Sequence, residues 1–218
     1  MSVQTRIDIL VQSVERALIL LAGESGTSKE KLAQRYIEDG LTSGDTILIV
    51  LFASSVDDYI EDLKPYITGL KTHIDTGRIH FIDSISYRSF PEELPKNTFY
   101  LDHASDLLTL SVTIDDLSEN TKKLRIVFDQ LAILMLYNQP MQVLNFLQTL
   151  AARVRTRKQS ALLLLDSGVI DEQTENTLHT IVDMLVETKR EDEPEGLQQL
   201  VRIKFAKGDF EPRWVQVL

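Results

Sequence analysis

The chain has 218 residues, 43% apolar and 26% charged, with no cysteine and a formal net charge of −10. Such a composition belongs to a globular chain long enough to bury a sizeable core, and the lack of cysteine excludes a disulfide framework or a thiolate metal site. The acidic balance argues against broad nucleic-acid binding, which needs basic surface, and no apolar run approaches the roughly 18 residues of a membrane span.

Residues 7–16 read as an amphipathic lead-in, with Ile7, Leu10, Val11 and Val14 at helical spacing. The start of the chain lacks the basic-then-apolar order of a signal peptide, and a cytoplasmic protein is expected. Strand one is Ala17–Ala22, apolar throughout, as a strand covered on both faces should be. Next comes Gly23-Glu24-Ser25-Gly26-Thr27-Ser28-Lys29-Glu30, then a helix to Asp39 with Gly40 as its terminator and a turn at Thr42–Asp45. Strand two is Thr46–Phe52. Ser55 or Asp57 caps a helix to about Tyr66, with Val56, Ile60 and Leu63 inward and Pro65 marking its end.

Strand three is Arg78–Asp83, followed by an irregular, proline-bearing stretch Ser84–Thr98. A helix over Ala104–Asn120 precedes strand four, Leu124–Phe128, which ends in Asp129. Gln139-Pro140 opens a long amphipathic helix that closes in the basic run Arg153–Lys158. Strand five, Ser160–Leu165, runs into Asp166. A helix Asp171–Ile181, a short strand Asp183–Thr188 and an acidic turn Lys189–Gly196 follow. Leu200–Phe205 and Arg213–Val217 form a terminal β-hairpin around Lys207-Gly208-Asp209. The alternation predicts an α/β fold: a mostly parallel central sheet flanked by helices, with a C-terminal hairpin, as one domain over 1–218.

Ligands of such sheets bind at the carboxyl ends of the strands. Here those ends carry the glycine loop, Ala53-Ser54, Asp83, Asp129 and Asp166. The loop has the layout of a phosphate-binding loop, G-x-x-x-x-G-K-[ST], in which backbone amides face phosphate, lysine neutralises it and a hydroxyl holds Mg²⁺. Gly23, Gly26, Thr27 and Lys29 fit, but Ser28 stands at the second glycine and Glu30 at the hydroxyl. Asp129 suits the strand-end aspartate that organises Mg²⁺. No carboxylate sits at Ala53-Ser54 to activate water, and Asp57 and Asp58 fit helix caps. His73, His80, His103 and His179 show no metal-ligand spacing and read as structural or surface residues. The run Arg153–Lys158 suits a helix C-terminus and leaves room for a local patch toward an acidic partner or nucleic acid.

Together these residues resemble the RecA superfamily, most closely its KaiC-like branch. The resemblance runs from about Arg16 to Leu218. It is carried by Leu20–Ala33, by Tyr36–Gly44 with Ile47–Phe52, by Arg125–Leu131, and by Lys207-Gly208 with Pro212-Arg213-Trp214. It implies a RecA-like fold and places the family's catalytic glutamate pair at Ala53 and Ser54. It also places the hairpin cations that reach a neighbouring subunit's nucleotide at Phe205 and Lys207. The departures point to an inactive domain acting as a regulatory or structural subunit. It would need no cofactor and would assemble as a homo-oligomer, with a hexameric ring as one form, or with RecA-like relatives. Two alternatives stay open. One is a divergent ATPase using Lys29, Asp129 and a carboxylate from Asp57, Asp83 or Asp166. The other is a switch that binds ATP or ADP with Mg²⁺ without hydrolysis.

Overall fold

A computed structural model of the chain describes residues 16–86, 95–193, 196–206 and 212–217. The expected lead-in helix through residue 15, Pro91 and the turn at Lys207-Gly208-Asp209 lie outside them. The elements in chain order begin with β1 (Leu18–Gly23), α1 (Lys29–Thr42), β2 (Thr46–Leu51), α2 (Val56–Leu63), α3 (Leu70–Asp75), β3 (Ile79–Asp83) and β4 (Thr98–Tyr100). They continue with α4 (Leu107–Asn120), β5 (Leu124–Asp129), α5 (Leu131–Tyr137), α6 (Pro140–Arg157) and β6 (Ser160–Asp166). The last are α7 (Glu172–Ile181), β7 (Met184–Glu193), β8 (Gly196–Ala206) and β9 (Val215–Gln216).

One nine-stranded sheet runs in the order β4-β3-β2-β5-β6-β1-β7-β8-β9. The pairings from β4 to β7 are parallel, and β8 and β9 add antiparallel strands. Side chains alternate between faces along each strand. In β1, Leu18, Leu20 and Ala22 pack under α4 to α7, while Ile19 and Leu21 pack under α1 to α3. Burying each such leucine or isoleucine contributes about 1.5–3 kcal/mol. Two apolar layers on one sheet are why the parallel strands read as continuous apolar runs.

Several sequence expectations change. Gly40 does not end α1: the helix runs to Thr42, and Gly44, with φ +84°, makes the turn. Gly40 is instead a close-packing residue, because a Cβ there would lie 2.7 Å from Ile47 Cδ1 and 2.8 Å from Arg125 Cδ. The expected acidic turn at Lys189–Gly196 is largely strand. β7 continues to Glu193, and Lys189 to Glu193 pair in register with Leu200 back to Gly196. Backbone pairing to an antiparallel neighbour outweighs the poor strand propensity of the charged run. The segments α3, β4 and α5 were not predicted. Among the described residues no helix is long and apolar enough to cross a membrane.

Candidate functional site at the glycine loop

β1 delivers Gly23 between Asp166 of β6 and Thr188 of β7, its register partners on either side. The position admits only glycine. A Cβ would collide with Thr188 Oγ1 and sit 2.6 Å from Thr188 O and 2.8 Å from Thr27 Oγ1. Gly26 turns the loop with φ +76°. Thr27 is buried; its hydroxyl donates to Glu24 O at 2.6 Å and pairs with Thr188 Oγ1 at 2.7 Å.

Ser28 holds the left-handed conformation, φ 68° and ψ 20°, that a glycine would adopt freely. A non-glycine residue there costs about 1–2 kcal/mol. Its hydroxyl donates to Gln199 Oε1 of β8, and Gln199 Nε2 donates to Gly26 O at 3.5 Å. The loop is thus fastened to β8 on one side and to β7 through Thr27 on the other.

Lys29 opens α1, and its side chain is 0% exposed. Nζ donates to Glu24 O at 2.7 Å and forms an ion pair with Asp166 Oδ1 at 2.7 Å. A desolvated ammonium is tolerable only with such partners. Asp129, at the end of β5, has its pKa pushed up to about 6. Burial is the main cause; the charges of Glu30 and Asp166 add to it, and Lys29 pulls the other way. Burial likewise raises the Tyr59 hydroxyl well above its usual value, helped by Asp129, Asp62 and Glu30. Lys29 therefore sits among several carboxylates, and a second cation stands at the loop: Arg190 Nη1 comes within 3.3 Å of where a Cβ on Gly26 would lie. A cleft of about 470 Å³ opens beside the loop, with Glu30, Glu61 and Asp62 against Lys31.

The other sequence candidates fall in varied settings. Ala53 is exposed and Ser54 half-buried in the bend after β2, while Ser55 caps α2 by accepting from Asp58 N at 3.1 Å. Asp57 is exposed in the first turn of α2. Asp83 is fully buried and accepts from Ile85 N at 2.6 Å and Ser86 N at 2.9 Å, so it serves the backbone. Phe205 pairs with Leu185 and meets His179 edge-on at 6.3 Å, against its own chain's core; Lys207 lies outside the described residues.

The arginines of the basic run are half-buried and paired within the chain. Arg153 donates to Ser111 Oγ at 2.9 Å and Arg155 to Asp183 Oδ2 at 2.9 Å. Arg157 donates to Asp115 Oδ1 at 2.6 Å, and Lys158 caps the helix with φ 58°. Burial lowers the pKa of both His80 and His179. Among the described residues no group of three or more His, Cys, Asp or Glu is arranged to hold a metal. Thr188 and Gln199 escaped sequence reasoning, because only strand register brings them to the loop.

Known proteins share the fold. Flagellar accessory protein FlaH from Methanocaldococcus jannaschii superposes with a TM-score of 0.71 at 16% identity, over 94% of this chain and 91% of that one. The uncharacterized protein PH0321 from Pyrococcus horikoshii, solved in complex with an unknown peptide, gives 0.70 at 16% identity over 93% of each chain. The KaiC-like protein PH0186 from Pyrococcus horikoshii gives 0.67 at 16% identity, over 93% of this chain and 83% of that one. A search of curated proteins finds no match. The family model for the ATPase KaiC matches residues 8–205. The chain belongs to the KaiC family, within the RecA superfamily.

Proposed function

We propose that this KaiC-family domain does not hydrolyse ATP and acts as a regulatory or structural subunit, through assembly with its own copies or RecA-like relatives and through protein partners. The observation that carries the reading is Lys29: without exposed surface, it is committed to Glu24 O and Asp166. A phosphate-binding lysine has to offer its charge to the ligand. Glu30 adds a negative charge where a working loop offers a hydroxyl to Mg²⁺, and Ala53 and Ser54 bring no carboxylate to orient water.

Two observations support partner binding. Leu136, Tyr137 and Met141, around the α5–α6 junction, are exposed apolar side chains close together in the chain, the kind of surface that marks a protein contact. PH0321, which shares the fold, was solved with a peptide bound. The test is ATP turnover by the wild-type protein beside Lys29→Ala. Equal rates at background are expected; wild-type turnover clearly above the variant contradicts the proposal.

A further inference from the structure

We infer that Asp166 is the specificity-determining residue of the loop, an internal anion that holds Lys29 in place of a phosphate and so excludes polyphosphates. This rests on the proposed function and names the residue responsible for the loss of nucleotide. Register places it: β6 pairs with β1 so that Asp166 lies opposite Gly23, and Ser167 N donates to Gly23 O at 3.0 Å. The carboxylate is thus delivered to the loop's first residue by the sheet itself, and meets Lys29 Nζ at 2.7 Å.

A phosphate would have to displace a partner that is already fixed beside the lysine, and an intramolecular partner competes at a high effective concentration. Displacement would also leave Asp166 without its cation among the carboxylates of Asp129 and Glu30, both of which act on this corner of the site. The other anchors of the loop, Thr27 on Thr188 and Ser28 on Gln199, do not engage the lysine. Asp166 is therefore the charged group that holds Lys29, whose other partner is the uncharged carbonyl of Glu24.

Asp166→Asn keeps the shape of the side chain while removing the charge that pairs with Lys29. The probe is ADP without added Mg²⁺, so that metal binding at the loop does not enter the reading; Glu30 acts equally on wild type and variant, and binding is read by calorimetry and thermal shift. Asp166→Asn is expected to bind ADP roughly tenfold or more tightly than wild type, with a matching upward shift in Tm and no gain in hydrolysis. Adding Lys29→Ala to Asp166→Asn is expected to abolish the gain, which separates release of the lysine from a general drop in negative charge. Unchanged ADP affinity in a folded Asp166→Asn overturns the inference while a wild type that ignores ADP leaves the proposed function standing. Tight ADP binding by the wild type also overturns the inference, whereas the proposed function falls on wild-type ATP turnover above that of Lys29→Ala. A gain that survives loss of Lys29 also overturns the inference. Should Asp166→Asn not fold alone, refolding by millimolar pyrophosphate supports the inference, and failure to refold contradicts it.

Discussion

An ammonium with no exposed surface has to be neutralised where it sits, so Lys29 belongs to the fold as much as to the loop. Lys29→Ala strips Asp166 of its cation and Glu24 O of a donor; with Asp166 30% exposed, the expected loss is about 1–3 kcal/mol, read from a denaturant midpoint. Gly23→Ala forces a Cβ onto Thr188 and Thr27 and is expected to cost about 2–4 kcal/mol by the same measurement. Asp129 makes a pH-dependent prediction. Its folded pKa of about 6 lies above its ordinary value, so the native state binds the extra proton between the two. Stability from this group is therefore greatest in acid and falls as pH rises toward and past 6, by about 1.4 kcal/mol per pKa unit of difference. Asp129→Asn is expected to raise Tm at pH above 6 and flatten that slope; an unchanged profile contradicts the assignment. The sequence showed the loop positions themselves, because the motif is local. It showed nothing of the Lys29–Asp166 pair, because the two residues meet only through the register of β1 with β6.

At the level of elements, the buried parallel strands were legible as apolar runs, and α6 as a strongly periodic stretch opened by Pro140. The short elements were not. α3 follows Gly69 and spans six residues, and β4 spans three, so neither carries a full period of its pattern. α5 is apolar almost all round, which gives no amphipathic signal. The charges of Lys189–Glu193 predict a turn, yet these residues continue β7 beyond the parallel core. Trp214 braces that region, with Lys189 Nζ 4.3 Å and Arg202 Cζ 4.5 Å from its ring centroid. Trp214→Ala is expected to cost about 1–2 kcal/mol and to speed amide exchange in β8 and β9 before the rest of the sheet. Uniform exchange across all strands contradicts a local brace.

Over the whole molecule, the sheet order and the match over residues 8–205 give the KaiC fold, and the loop sits where that fold presents its ligand site, at the strand carboxyl ends. What the chain has built there is a lysine whose partners, Glu24 O and Asp166, come from within. Under the proposed function, assembly would not depend on nucleotide: the solution mass is expected to exceed a monomer's and to stay the same with and without ATP and Mg²⁺. Met141→Glu is expected to lower that mass if the exposed apolar side chains at the α5–α6 junction form the contact. The central claim, that the loop no longer serves ATP, is tested most directly by calorimetric titration of the wild-type protein with ATP and Mg²⁺. The account predicts no measurable binding heat and no shift in Tm at millimolar nucleotide. Saturable binding in the micromolar range, lost in Lys29→Ala, would contradict it.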